Sequence, residues 1–448
     1  MSVALVILAA GKGTRMQSDL PKVLHHMAGI PLLTHVINTG KSLNPERIVV
    51  VTGHGAKAVE ACAKNQNTNV EIVVQPEQLG TGHAVEQARK ALLDFEGNVI
   101  VMYGDTPLLR SATLAKLSES LSKVNLSVLG FETETPGHYG RLVADKDNLH
   151  RIVEFKDASK SEKTIKLCNS GVMAMSKALL FELLSKITNK NAAGEFYLTD
   201  IVEYAVAEGK SCKVVRCNEF ETLGINSRTE LAKAELEYQN RLRDAALENG
   251  VTMTAPQTVY FSYDTIIGRD TTIEQNVVFG LGVVVESGSQ IKAFSHLEGA
   301  FVGHGCIVGP YARLRPGTKL QNNVKIGNFV EVKESDIEEG AKVSHLSYIG
   351  DASIGAHANI GAGTITCNYD GVMKHKTKIG KGSFIGSNTM LVAPVSIGDD
   401  ALTASGSVII SNVPDGALAV GRSRQINKPG LAVKLMAKFR SLKATKKE

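Results

Sequence analysis

A chain of 448 residues exceeds the size at which one hydrophobic core keeps growing, so length argues for two or more domains. Its 43% hydrophobic and 21% charged content are globular values, while 42 Gly and no Trp point to a turn-rich, β-rich part. The formal charge of +5 comes from residues 428–448, where seven Lys/Arg and one Glu sum to +6 and leave −1 elsewhere, so no basic face for nucleic acid is expected.

Val3 to Ala9 opens the chain as an apolar run. No basic segment precedes it and Lys12 and Arg15 follow it, so it is a buried first strand and not a signal-peptide core. Residues 48–52, 71–74 and 98–103 are further strands, and residues 31–43, 56–64 and 83–93 are candidate helices. Near-continuous apolar strands separated by helices imply a parallel sheet covered on both faces. Residues 1–226 are therefore predicted to be an α/β domain, Rossmann-like with a mostly parallel sheet. Residues 227–249 form one linker helix, opened by a capping box of Ser227 and Glu230 and stopped by Gly250.

Beyond Gly250 an aliphatic or aromatic residue recurs every sixth position: Ile267, Ile273, Phe279, Val285, Ile291 and Leu297. The phase restarts at Val302, Val308, Leu314, Leu320, Ile326 and Val332, then at Ile337, Val343 and Ile349, then at Ile354 and Ile360. After an interruption it resumes at Ile379, Ile385, Leu391 and Ile397, continuing at Ile409. Neither a 3.6-residue nor a 2-residue period gives this spacing. A hexapeptide solenoid does, with three hexapeptides per triangular coil and each coil burying its inner face against its neighbours. Residues 250–448 are predicted to be an all-β parallel β-helix with a basic tail. Leu435, Met436, Phe439 and Leu442 lie along one side of that tail, which allows weak membrane-surface contact, but an unstructured, solubilising end is expected. No apolar run approaches the ~20 residues that span a bilayer, so no integral membrane association is expected. Six scattered cysteines without a CxxC pair predict reduced thiols and a cytoplasmic location.

Chemistry concentrates in a few motifs. LAAGKGTRM, residues 8–16, follows the first strand and offers Gly11 and Gly13 for a phosphate-wrapping backbone, yet it is neither GxGxxG nor a P-loop. Lys12, Arg15 and Lys22 add the cations a polyphosphate needs. VQPEQLGTG spans residues 74–82, and VMYGDTP, residues 101–107, puts Asp105 just past a strand's carboxyl end, where open α/β sheets bind ligands. Each alone also suits a plain turn or helix cap. Together they resemble the sugar-nucleotide pyrophosphorylases, and closely the N-acetylglucosamine-1-phosphate uridylyltransferases. The resemblance implies that Leu8, Ala9, Ala10, Gly11 and Gln75 contact uracil or ribose, with Gly80 and Thr81 completing the base pocket. Arg15 and Lys22 would bind phosphates. Tyr103, Gly104, Gly140, Glu154 and Asn169 would hold sugar and ribose, and Asn226 would join Asp105 on Mg²⁺, with UTP as co-substrate. Ser170 stands where the family usually has Thr, which keeps a hydroxyl.

In the second half Arg313, Arg315, Lys333, His345 and Tyr348 break the small-residue pattern. Arg315 and Lys333 are 18 residues apart, one coil, so they stack, and a phosphate between them would meet two cations; the alternative is solvated surface charge. His345 is expected on that same face. NIGAGTITCNYD, residues 359–370, departs from the repeat and opens an insertion ending near Lys378, and insertions on a solenoid mark its binding face. This wording resembles the glucosamine-1-phosphate acetyltransferases, whose β-helix is left-handed although the usual crossover rule would give a right-handed one. The resemblance implies that His345 is the general base for attack of the glucosamine amine on acetyl-CoA, oriented by Asn368, which alternatively faces the thioester carbonyl. Arg315, Lys333, Tyr348, Asn359 and Tyr369 would bind the sugar phosphate. Ala362, Asn368, Tyr369, Ser387, Ser405 and Arg422 would line the acetyl-CoA groove, with Ser405 where relatives often have Ala. A flat solenoid face cannot enclose acetyl-CoA, so a homotrimer with clefts between prisms is expected.

The whole resembles the bacterial bifunctional uridylyltransferase–acetyltransferases that supply UDP-N-acetylglucosamine for peptidoglycan and lipopolysaccharide. A single-activity sugar-1-phosphate nucleotidyltransferase with a regulatory β-helix is the alternative, and His345 with NYDG at residues 368–371 argues against it. A non-catalytic sugar-nucleotide scaffold is a third, opposed by the intact Lys22, Asp105 and Asn226.

Overall fold

The first apolar run folds as strand β1, Val3–Ala9, buried from its second residue onward. The structure, a computed structural model, describes residues 2–66 and 69–446. The chain divides into two compact units, Met1–Ala245 with Phe261–Tyr263 and Ala246–Tyr260 with Asp264–Glu448.

In the first unit β1 is joined by β2 (Arg47–Thr52), β3 (Val70–Val74), β4 (Asn98–Tyr103), β5 (Leu126–Glu132), β6 (Arg141–Asp145), β7 (Asn148–Val153), β8 (Leu167–Ser176) and β9 (Cys212–Cys217). They form one sheet in the order β3-β2-β1-β4-β8-β5-β9-β7-β6. The half carrying the first motif, β3-β2-β1-β4, is parallel. Beyond β4 the sheet becomes mixed, because β8 runs antiparallel to both β4 and β5. Both faces of β1 and β4 are covered: Ala4, Val6, Val99 and Val101 enter one core, and Leu5, Ile7, Ile100 and Met102 the other. Two-sided burial is why these strands read as continuous apolar runs.

The helices are α1 (Leu32–Lys41), α2 (Ala56–Gln66), α3 (Thr81–Glu86), α4 (Ser111–Ser120), α5 (Lys177–Leu184), α6 (Ile201–Ala207) and α7 (Arg228–Glu248). The helix expected over 83–93 stops at Glu86. Its continuation is held by three-residue turns, Gln87 to Ala84, Ala88 to Val85 and Arg89 to Glu86. At the start of α7 the Glu230 amide donates to Ser227 Oγ at 3.3 Å, as a capping box requires. The Glu230 carboxylate reaches back to the Asn226 amide at 2.7 Å, which fixes Asn226 in place.

The second unit is a left-handed parallel β-helix of three sheets with ten, eight and eight strands. Every six-residue position from Ile273 to Ile409 named above is at most 5% exposed, and only Ile267, at the first coil, is half-buried. Where the pattern skips, the coil does not: Thr366 and Thr403 point inward, 0% and 1% exposed. Their hydroxyls accept from Gly350 N at 2.8 Å and Gly386 N at 3.0 Å. Residues 359–367 therefore stay within the repeat, since Asn359–Ile360 and Ile365–Cys367 both pair with the coils on either side. The insertion is confined to residues 368–376. The tail is also corrected: Leu431–Thr445 is a helix, α8, whose described side chains are exposed. Among the described residues no helix is long and apolar enough to cross a membrane.

Candidate functional site

The loop after β1 turns left-handed at Gly13, φ 62°, and a Cβ there would sit 2.6 Å from Lys22 Cβ. Glycine lets the loop close onto the stem of Lys22. The Lys22 ammonium is ion-paired with Asp105 and donates to Asn226 Oδ1 at 2.8 Å. Three segments thus meet at one point: the loop after β1, the end of β4, and the cap of α7. The Lys22 and Asp105 side chains are only 13% and 16% exposed. Because both oxygens converge on one cation, with the ammonium standing in, the pair fits a hard divalent ion that takes few protein ligands.

Beside this point opens a cavity of about 350 Å³. Leu8, Ala9, Ala10, Gly11, Lys22, Gln75, Gly80, Thr81, Tyr103 and Asp105 line it, together with Val23, Gln78, Ala84 and Glu195. Gln75 is fixed by Gly80 O and His83 Nδ1, both at 3.1 Å. Gln78, overlooked although it lies within the quoted motif, donates to Ala10 O at 2.7 Å and so braces the loop. Glu195 has no motif around it and could not be found from sequence. Gly104 ties the end of β4 to β1 through Leu8 O at 2.9 Å. Arg15 does not line the cavity; it is exposed in a short helical turn, Thr14–Met16.

A second group adjoins through Tyr103. Burial, then Glu154 and Asp105, push the Tyr103 phenol far above its usual range, so it stays a neutral hydrogen-bonding group. Asn169 N donates to Gly140 O at 2.9 Å, and Gly140 faces the Glu154 carboxylate. Burial raises Glu154, against a 3.1 Å bond from Thr199 Oγ1. Asn169 Oδ1 accepts from Gly171 N at 2.9 Å. Gly171, φ 87°, lets the Tyr103 ring approach: a Cβ would fall 2.5 Å from Tyr103 Cε2. Ser170 Oγ donates to Leu129 O at 2.7 Å, so the hydroxyl at that position is in use.

On the β-helix, Arg315 and Lys333 stack on adjacent coils, and Tyr348 lies two residues along on the same sheet. Arg313 pairs with Glu331, Glu331 with Tyr348, and Lys333 with Gly350. Arg315 is bonded to Glu331 at 2.8 Å, and Lys333 lies 3.6 Å from Asp351. Lys374, from the insertion, sits against Lys333, and the like charge of that neighbour pushes the Lys374 ammonium down. Two ammonium groups crowded together with a guanidinium one coil below make a site for an anion. Lys374 was not anticipated, because only the fold returns the insertion to that face.

His345 is not on that face. It ends Lys342–His345, a strand of the preceding sheet, because the corner intervenes before Tyr348. Asn359 is on the His345 sheet, paired with Lys342 one coil below. His345 instead heads a column along one prism edge. Gly363 N donates to His345 O at 3.2 Å, Asn388 N to Ala362 O at 2.7 Å, and Gly406 N to Ser387 O at 2.8 Å. Ala362, Ser387 and Ser405 thus follow His345 coil by coil, spanning ~14 Å at the usual strand spacing. Beneath it the same edge is filled: Phe329, Tyr311 and Phe294 stack at centroid distances of 5.2 and 4.8 Å. Above His345 the side chains of this column are small: Ala362, Ser387 and Ser405. Arg422 is exposed beyond its upper end. Asn368 does not reach His345; its amide donates to Asp351, because it lies at the next corner. The neighbour of His345 is Asn328, whose Oδ1 is 2.6 Å from Nδ1. Seventeen residues, one coil, separate them, a spacing that could have singled it out. Tyr369 is exposed at the start of the insertion, its hydroxyl donating to Gly371 O at 2.5 Å.

Residues 5–167 match the MobA-like NTP transferase domain family, and residues 376–411 match the bacterial transferase hexapeptide family, six repeats. Proteins named Bifunctional protein GlmU align over nearly the full chain. That of Cereibacter sphaeroides is 57% identical over 100% of this chain and 98% of its own. Those of Paracoccus denitrificans and Roseobacter denitrificans are 58% and 59% identical, over 98% and 99% of both partners respectively.

Proposed function

This chain belongs to the bifunctional GlmU family, and from that premise we infer which residues run each of its two reactions. It is a bifunctional transferase of UDP-N-acetylglucosamine biosynthesis. It transfers acetyl from acetyl-CoA to glucosamine-1-phosphate, then uridylyl from UTP to N-acetylglucosamine-1-phosphate, releasing pyrophosphate.

Uridylyl transfer is assigned to the cavity beside Lys22. The observation that carries this is the convergence of Lys22, Asp105 and Asn226 at its mouth. A phosphate oxygen of the sugar substrate attacks the α-phosphorus of UTP, and the bond to pyrophosphate breaks. No side chain acts as nucleophile; Lys22 and Arg15 offset the charge that develops on the phosphates. The backbone of residues 8–11 with Gln75, Gly80 and Thr81 holds the base and ribose. Tyr103, Gly104, Gly140, Glu154 and Asn169 hold the sugar. Asp105 and Asn226 would hold Mg²⁺, which supplies charge neutralisation when bound with the nucleotide.

Acetyl transfer is assigned to the β-helix edge headed by His345. The imidazole takes a proton from the amine as the nitrogen bonds to the thioester carbonyl carbon; the carbon–sulfur bond then breaks and coenzyme A leaves. Arg315, Lys333, Tyr348, Asn359 and Tyr369, joined by Lys374, hold the sugar phosphate. Ala362, Ser387 and Ser405 line the path of acetyl-CoA, with Arg422 beyond its upper end, while Asn368 and Tyr369 stand at the next corner of this chain. We place the enzyme as a homotrimer in the cytoplasm. The exposed ladder of Phe294, Tyr311 and Phe329 supports a face that a neighbouring copy covers, and six free thiols support a reducing compartment. If sites are shared, mixed trimers of His345→Ala and Arg422→Ala chains regain acetylation that neither has alone. Failure after proven subunit exchange, or an active monomer in sedimentation, rejects the shared cleft.

A further inference from the structure

An exposed imidazole at the end of a strand has two tautomers and a rotatable ring, and only one arrangement presents a lone pair to a substrate. In a neutral histidine one nitrogen donates and the other accepts. The Nδ1 of His345 lies 2.6 Å from Oδ1 of Asn328. That distance is set by the solenoid itself: the two residues are register partners on adjacent coils, and Leu346 N donates to Asn328 O at 3.0 Å. Asn328 is half-buried on a strand and not on a mobile loop. A carbonyl oxygen only accepts, so this contact requires the proton on Nδ1 and leaves the Nε2 lone pair free. The residues around it leave the outward direction open, since the next coil up offers only Ala362 and Gly363 at this edge.

We propose that Asn328 is the positioning residue of the acetyl-transfer site, holding His345 in the Nδ1–H tautomer with Nε2 presented to the substrate amine. The proposal rests on His345 being the base. An amide suits the role because it fixes ring and tautomer without placing a negative charge beside the imidazolium that forms. The logic is that of the orienting group in a catalytic triad, here supplied by the neighbouring coil.

The test uses the full-length enzyme with ¹⁵N-labelled histidine, its His345 signals identified by their loss in His345→Ala. Spectra are taken at about pH 9, well above the model-peptide imidazole range. Wild type should show Nδ1 protonated and Nε2 bare. Asn328→Leu should mix the tautomers and lower kcat for acetylation by about tenfold or more, with KM for both substrates nearly unchanged. Asn328→Asp, which keeps an acceptor at the same point, should retain the tautomer and most of kcat at that pH. Sedimentation and unchanged uridylyl transfer in the same preparations report an intact fold. A Leu variant with wild-type tautomer and kcat, or an Asp variant as impaired as Leu, overturns the proposal. A dead His345→Ala beside a normal Asn328→Leu overturns it alone, whereas an active His345→Ala overturns the assignment of the base and the proposal with it.

Discussion

Replacing Lys22 with Met removes the ammonium while keeping the stem that packs against Gly13. Two consequences follow from the geometry. Asp105, 16% exposed, loses its counter-charge, and Asn226 loses a donor at 2.8 Å. Breaking a fully buried pair costs ~3–5 kcal/mol; at this partly exposed site the loss should be nearer 1–2 kcal/mol, too small to unfold the unit. For catalysis the loss is larger, because a preorganised cation at developing phosphate charge is worth about 10²- to 10³-fold, or ~2.7–4 kcal/mol. Pyrophosphate release and free coenzyme A production are measured on one preparation. Uridylyl transfer should fall by about two orders of magnitude or more while acetylation stays at the wild-type rate. Uridylyl transfer within a few-fold of wild type would refute the role given to Lys22, and a parallel fall in both activities would refute the separation of the sites.

Three further outcomes are expected. Gly171→Ala drives a Cβ to 2.5 Å from the Tyr103 ring at φ 87°, so it should raise KM for the sugar phosphate in uridylyl transfer and leave acetylation alone; kinetics with varied sugar phosphate reads this. Thr366→Val restores the aliphatic pattern yet strips Gly350 N and O of their partner at 2.8 and 3.0 Å, so denaturant unfolding should show a loss of ~1–3 kcal/mol, and a gain would contradict the hydroxyl's role. Burial, then Glu203, Glu154 and Asp157, push the Asp200 carboxyl up to about 6. Its folded value thus lies above the unfolded one, and the stability tied to its protonated form is present below about pH 4 and lost as pH rises to about 6. Asp200→Asn should therefore raise stability at pH 7.5 by ~1 kcal/mol after discounting for solvent screening, with no difference at pH 4. Thermal melts across that range decide it.

How far the sequence reached depended on which physical signal each feature leaves. β1 and β4 were legible because two-sided burial makes a continuous apolar run. The same rule hid the direction of β8, whose run Leu167–Ser176 has the same apolar character in either orientation. The solenoid announced itself by its period, which lost its aliphatic residue at Thr366 and Thr403, where a hydroxyl pointing inward takes an aliphatic place. Counting coils correctly stacked Arg315 on Lys333. The same count misplaced His345, because a corner between His345 and Tyr348 turns the chain from one face to the next. Asn328 and Gln78 were within reach, one by coil spacing and the other by its motif. Lys374 and Glu195 were not, since each arrives at its site from a segment without regular spacing.

The claim that two complete reactions occupy separate residues of one chain is tested most directly by complementation. Asp105→Ala and His345→Ala enzymes are each given glucosamine-1-phosphate, acetyl-CoA, UTP and Mg²⁺, alone and mixed, and the products are identified by mass spectrometry. The account predicts that Asp105→Ala accumulates N-acetylglucosamine-1-phosphate, that His345→Ala leaves glucosamine-1-phosphate unchanged, and that the mixture makes UDP-N-acetylglucosamine. An Asp105→Ala enzyme that releases no coenzyme A, or a mixture that yields no nucleotide sugar, would contradict it.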